Sequence, residues 1–272
     1  MDYEEYLKIA GIPEGSIVDV SSDLFSMALF WAKGGAKFDA DALLDALKRC
    51  VGEEGTVMIR AYSWEFCRGI PFHMKGTRSA VGSLGITAMA RDDFRRTSHP
   101  LYSWFVWGKE QERFCGHRNV DGFGTDSLFA VLEEKGALQL GLGKQRAVGF
   151  TMAHYAEAKA EVPYRRKKFF TGEYYDEEER MTERTYSMYV RPLNIPVKNT
   201  FSSPETQDAL RREGIRCDGL YMDELPISVI RLREAARFIG KDLTENDGRM
   251  TMMVDGVPGI KGCGVDWSTA VY

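Results

Sequence analysis

The segment Thr151-Met152-Ala153-His154-Tyr155-Ala156-Glu157 spaces a hydroxyl, an imidazole and a carboxylate three residues apart. On a helix that spacing puts all three on one face, where neighbouring side chains reach one another. A neutral imidazole can take a proton from an attacking amine near neutral pH, while a carboxylate on the other ring nitrogen orients it and stabilises the imidazolium. In that chemistry His154 is the base and Glu157 its orienting partner. Thr151 Oγ, or a backbone N–H beside it, would donate to a developing oxyanion. The competing reading is a helix whose histidine and glutamate simply face solvent, and the motif alone does not choose between them.

Such a face must be held by a scaffold, and the chain supplies regular elements on both sides of it. Residues 16–20 read as a strand, and Ser21-Ser22-Asp23 can cap a helix over 24–32. Asp39 or Asp41 opens a second helix over 42–51, and Gly55 admits a strand over 56–62. Residues 62–85 carry aromatics, glycines and Arg78 without a sustained period and read as a long loop. A helix over 86–94, a strand over 101–107, a helix over 128–135 capped by Asp126-Ser127, and a strand over 137–142 lead to the helix 151–160, which Val162-Pro163 stops. Beyond lie a charged surface stretch over 174–183, a strand over 186–193, and helices over 204–213 and 224–238. The alternation predicts an α/β fold: a mixed central sheet flanked by helices, as a three-layer, sandwich-like single unit over residues 1–272 with room for a small subdomain around 165–215.

Composition agrees with one globular unit. Of 272 residues, 44% are hydrophobic and 28% charged, and no linker-like tract divides the chain. The net charge of −4 gives no general attraction to phosphate backbones, so nucleic-acid binding is not expected. The acidic start lacks a signal-peptide layout and no apolar run approaches membrane-spanning length, which predicts a cytoplasmic protein without membrane association. Five scattered cysteines without CxxC spacing point to reduced thiols.

Several further pieces follow in a set order: Val20-Ser21-Ser22, Gly55-Thr56-Val57-Met58, Ser83-Leu84-Gly85, Phe94-Arg95, Arg96-Thr97-Ser98-His99-Pro100, Gly124-Thr125-Asp126-Ser127 and Val162-Pro163-Tyr164-Arg165. Together with Thr151, His154 and Glu157, this succession resembles the aminoglycoside 3-N-acetyltransferase family from about residue 21 to 170. The resemblance implies an acetyl-CoA-dependent N-acetyltransferase that acylates an amine of an amino sugar; with His154 as base the expected mechanism is direct transfer in a ternary complex, and no metal is expected. It carries to His154 the role of acting on the acceptor amine. It also implies that acetyl-CoA lies along Ser21, Ser22 and the turn Ser98-His99-Pro100. Two departures stand out: the family's His-Ser-Ser-Leu turn appears as Val20-Ser21-Ser22-Asp23, and the loop after the second strand reads Tyr62-Ser63-Trp64-Glu65. Tyr62, Glu65 and Tyr164 are expected to shape the acceptor pocket, because long aromatic loops beside core strands suit sugar stacking. Both aminoglycosides and nucleotide-linked amino sugars remain open as acceptors.

Other motifs suggest less. Arg165-Arg166-Lys167-Lys168 reads as a solvated basic face offset by the acidic run 173–179, with a CoA phosphate or a sugar diphosphate as the alternative partner. Gly141-Leu142-Gly143-Lys144-Gln145-Arg146 has arginine where a dinucleotide fingerprint needs a small residue, and residues 256–264 lack the ending of a phosphate-binding loop. Cys115-Gly116-His117 is a lone pair with no second ligand pair at metal spacing. A metal-assisted hydrolase using His99, His117 and His154 is one alternative function, and a non-catalytic binding protein of the same fold is another.

Overall fold

The computed structural model describes residues 2–144 and 149–272, so Arg146 of the rejected dinucleotide fingerprint lies outside the described residues. The chain opens with α1 (Tyr3–Lys8), β1 (Ile17–Ser22), α2 (Leu24–Lys33), α3 (Ala40–Val51) and β2 (Thr56–Arg60). A 3-10 turn at Phe66–Arg68 and β3 (Phe72–His73) interrupt the long loop, followed by α4 (Leu84–Met89), β4 (Arg95–Arg96), β5 (Trp104–Gly108), α5 (Gln111–Gly116) and α6 (Leu128–Lys135). Next come β6 (Leu138–Leu142), α7 (Met152–Lys159) and the hairpin of β7 (Arg166–Tyr175) and β8 (Met181–Val190). The chain closes with β9 (Val197–Asn199), α8 (Pro204–Arg212), β10 (Arg216–Tyr221), β11 (Leu225–Arg231), α9 (Leu232–Glu245), β12 (Met252–Val254) and β13 (Val257–Pro258).

Helix starts follow their capping residues. Asp23, Asp39, Ser127 and Ser203 each accept from a backbone N–H in the first turn of α2, α3, α6 and α8. Seven strands form the central sheet in the order β10-β11-β6-β1-β2-β5-β4. β1 is parallel to both neighbours, β2 and β6, and the outer pairs are antiparallel. Strand alternation sends Val18, Val20, Val57 and Ile59 to one face, against Leu43, Leu44 and Leu47 of α3 and Trp31 of α2. Fully burying each such aliphatic side chain contributes about 1.5–3 kcal/mol. Met58, Trp104 and Ile230 face the other side, where Phe129 of α6, Ala153 and Ala156 of α7 and Ile239 of α9 cover them. Helices on both faces of a mixed sheet make the three layers expected from the sequence.

The main differences lie in the second half. The span 224–238, read as a helix, divides into β11 and the start of α9. Leu225, Ile227 and Val229 alternate into the core, and β11 pairs antiparallel with β6. Its β-branched residues suit that pleated, half-buried surface. The charged stretch over 174–183 lies at the surface, where it forms the end of the hairpin β7–β8; the hairpin makes a second sheet with β3, while β9, β12 and β13 form a third. Tyr164, Tyr174 and Tyr186 belong to the same buried cluster as Met58 and Trp104, so the region around the hairpin packs on the main core. At about 3.3 Å per residue, β7 carries its basic start about 23 Å from Glu173, too far for the two runs to neutralise one another. Among the described residues no helix is long and apolar enough to cross a membrane.

Candidate active site

A cleft of about 980 Å³ opens at the carboxyl ends of β1 and β2. The chain reaches β2 from β1 through α2 and α3 on one face, and reaches β6 only after α5 and α6 on the other. Such a reversal leaves a crevice beyond the ends of the parallel strands, the usual place for a ligand in an open α/β sheet. Ser21, Ser22, Arg60 and Tyr62 line it from the strand ends, Thr151 and His154 from α7, and Tyr189 and Arg191 from the end of β8.

Behind the α7 wall, Glu157 is fully buried. His154 Nδ1 lies 2.7 Å from its Oε2, the Tyr164 hydroxyl donates to Oε1 at 3.1 Å, and Arg165 Nε makes an ion-pair contact to Oε2 at 2.6 Å. Arg165 Nη1 also donates to the Tyr189 carbonyl at 3.0 Å, and Nη2 comes within 3.1 Å of His154 Nδ1. Because the ionised carboxylate only accepts, its 2.7 Å contact sets the ring's tautomer: Nδ1 carries the hydrogen towards Glu157, the nearby Arg165 Nη2 makes no hydrogen bond to that nitrogen, and Nε2 keeps the lone pair. The His154 side chain is 33% exposed, so the ring meets the cleft while its anchor stays dry. Burial alone would raise the Glu157 carboxyl, but His154, Arg165 and the Tyr164 hydrogen bond outweigh it and hold it below its ordinary range.

The cleft floor rests on a second buried network. Asp19 points away from the Val18–Val20 face, and Arg60 donates to it from Nε at 3.0 Å and from Nη2 at 2.6 Å. Trp104 Nε1 donates to Asp19 Oδ1 at 2.9 Å, and Arg60 Nη1 donates to the Gly149 carbonyl. Burial works against the Arg60 cation, yet the Asp19 carboxylate beside it raises its pKa on balance. Tyr62 sits over this pair, its ring centroid 5.9 Å from the guanidinium.

Comparison with known proteins decides the family. The sequence model described as aminoglycoside 3-N-acetyltransferase matches residues 20–243. The chain belongs to the aminoglycoside 3-N-acetyltransferase family. It is 26% identical over 187 residues to the SPbeta prophage-derived aminoglycoside N(3')-acetyltransferase-like protein YokD of Bacillus subtilis (strain 168), a match covering 60% of this chain and 65%, just under two thirds, of that relative. Among solved structures, it is similar in fold to AAC-IIIb in its binary complex with CoASH, with TM-score 0.73, 20% identity, and 90% of this chain and 95% of that chain covered. It is likewise similar to the crystal structure of YokD from Bacillus subtilis, with TM-score 0.69, 22% identity, and coverage of 89% and 96%.

Within this family member the structure brings together some of the residues marked in the sequence and separates others. Ser21, Ser22, Tyr62, Thr151 and His154 share the cleft, and Glu157 stands directly behind His154. The turn Ser98-His99-Pro100 does not border it. Ser98 Oγ donates to the His117 carbonyl at 2.9 Å, and buried His99 accepts the N–H groups of Leu101 and Tyr102 through Nδ1 at 3.2 Å each, so the Ser98 hydroxyl and this ring nitrogen hold local backbone rather than face the cleft. Tyr164 is likewise not a pocket wall: it is fully buried with its hydroxyl on Glu157. Glu65 is exposed outside the lining, and its neighbour Trp64 lines the cleft instead.

The histidines of the hydrolase alternative do not converge. His117 Nε2 lies 2.6 Å from the Asp126 carbonyl, His99 is enclosed by the core, and among the described residues no group of three His, Cys, Asp or Glu side chains could hold a metal ion. Burial pushes the Cys115 thiol up to about 12, which does not suit a nucleophile. Two participants escaped the sequence reading. Arg165 was grouped with a solvated basic run, and the Asp19–Arg60 pair was not singled out, although a carboxylate flanked by core valines demands a buried partner.

Proposed function

We propose that the protein is an acetyl-CoA-dependent N-acetyltransferase that acylates an amine of an amino sugar by direct transfer in a ternary complex. The observation that carries this is the exposed His154 ring anchored through Nδ1 on a buried, charge-compensated Glu157 at the wall of the cleft. In the proposed step the amine attacks the thioester carbonyl while His154 Nε2 accepts its proton. The C–S bond then breaks, and the imidazolium returns a proton to the departing thiolate. Glu157 offsets the positive ring throughout, and Thr151, in the lining beside His154, is the proposed donor to the oxyanion. Ser21, Ser22 and the first turn of α2 supply donors for acetyl-CoA, and AAC-IIIb, solved with CoASH, shares the fold.

The charge balance of the cleft bears on the acceptor. Asp19 neutralises Arg60 and Glu157 neutralises Arg165. Arg191 donates to the Val197 carbonyl at 3.0 Å and, among the described residues, pairs with no carboxylate, while Asp23 is the single acidic side chain in the described lining. A polycationic aminoglycoside would meet one carboxylate there, whereas a nucleotide-linked amino sugar would bring phosphates to Arg191. The test is thiol release from acetyl-CoA with a panel of both acceptor classes, beside CoA-induced thermal stabilisation of the protein. Absence of stabilisation at millimolar CoA, or of thiol release with every amine, would overturn the proposal.

A further inference from the structure

Tyr62 is buried, with 2% of its surface exposed, yet it belongs to the lining of the cleft. Its ring is wedged against Trp104, Tyr102 and Phe129, with centroids 5.1, 5.4 and 6.5 Å away, so the direction of its C–O bond is fixed by packing. The hydroxyl faces the Thr151 side chain but has no partner at hydrogen-bonding geometry. A buried, unmatched donor is costly unless something accepts from it, and such groups are uncommon in folded proteins. Burial also holds its pKa well above the ordinary value, so the hydroxyl remains a donor across the physiological range.

We infer that Tyr62 is a catalytic residue whose hydroxyl donates to the carbonyl oxygen of the bound thioester and to the oxyanion that oxygen becomes. The inference rests on the acetyltransferase reading. Thr151 precedes His154 by three residues at the start of α7, a spacing that sets side chains about 5–6 Å apart. The Tyr62 hydroxyl, facing Thr151, therefore belongs to the same part of the cleft lining as the base. Packing fixes where the Tyr62 oxygen sits, and a preorganised donor gains most in a site that excludes water.

The test is Tyr62→Phe, which keeps the wedged ring and removes one oxygen. The thioester carbonyl band of bound acetyl-CoA labelled with carbon-13 at the carbonyl is recorded by difference infrared spectroscopy, and steady-state kinetics are measured alongside. The expected result is a band in the wild type lowered relative to free acetyl-CoA, returning towards the free value in the variant, with kcat reduced about 10²-fold and both KM values nearly unchanged. A band identical in the two proteins overturns the inference while leaving the acetyltransferase reading intact. A rise in acceptor KM at constant kcat also overturns it, since the hydroxyl would then read the acceptor. Failure of the wild type to bind acetyl-CoA defeats the acetyltransferase reading and the inference with it.

Discussion

Replacing Glu157 by glutamine keeps the side chain's size and removes one negative charge where water cannot substitute for it. Glu157 is fully buried and the Arg165 side chain is 8% exposed, so the variant leaves a guanidinium inside the protein with the Tyr189 carbonyl as its remaining described acceptor. Removing one partner of a buried ion pair costs about 3–5 kcal/mol. A second consequence falls on the reaction. At an effective dielectric of about 20, unit charges about 4 Å apart attract by about 4 kcal/mol, and about 1.4 kcal/mol is a tenfold change in rate. Losing the imidazolium's partner, with Arg165 Nη2 3.1 Å from the ring nitrogen, should lower kcat by about 10²–10³-fold. Urea unfolding measures the first effect and thiol release the second. The double variant Glu157→Gln/Arg165→Met carries neither charge and should recover most of the stability without recovering the rate. A single variant destabilised by less than about 1 kcal/mol, or a double variant no more stable than the single, would refute the account of Glu157 as a carboxylate held by compensating charges.

His154→Ala should reduce turnover by about 10²–10⁴-fold while CoA still raises the melting temperature, and a folded variant with near wild-type turnover would remove the base assignment. Asp19→Asn strands the Arg60 guanidinium beneath the cleft and should cost about 3–5 kcal/mol in denaturant titrations, where a loss below about 1 kcal/mol would contradict the pairing. Burial lowers the His99 pKa from 6.5 to about 4, so between those values the unfolded chain binds more protons and stability should fall on acidification by about 3 kcal/mol. His99→Asn should flatten that window, and an unchanged slope would refute it. Arg191→Glu should raise KM for a nucleotide-linked amino sugar and lower it for an aminoglycoside with little change in acetyl-CoA KM, and a shift confined to acetyl-CoA would place Arg191 on the cofactor instead.

What could be read from the sequence was what depends on near neighbours. The caps Asp23, Asp39 and Ser127, the strand with Val18 and Val20, and the shared face of His154 and Glu157 all follow from residues within one or two turns. What could not be read depends on pairing across the chain. Ile227 and Val229 have a period that fits a short strand or a buried helix equally well, and only β6 lying alongside decides it. The turn Ser98-His99-Pro100 offers a hydroxyl, an imidazole and a fixed bend, but whether these face a ligand or their own backbone depends on β5 and the His117 carbonyl, which local spacing does not reveal.

The same distinction explains why a three-residue motif becomes a site in this chain. Ala153 and Ala156 let α7 pack closely against the core, and that face carries Glu157 inward while leaving His154 at the edge of the cleft. A carboxylate placed there without a cation would protonate or destabilise the fold. Arg165 comes from the entry to β7, eight residues beyond Glu157, and is held in turn by the carbonyl of Tyr189 on β8. The hairpin therefore supplies, after His154, a second positive charge beside the buried carboxylate. In the proposed mechanism His154 is a base oriented by an ionised partner, and the strand pair, through Arg165, adds to His154 itself in keeping Glu157 ionised in a place where burial alone would neutralise it.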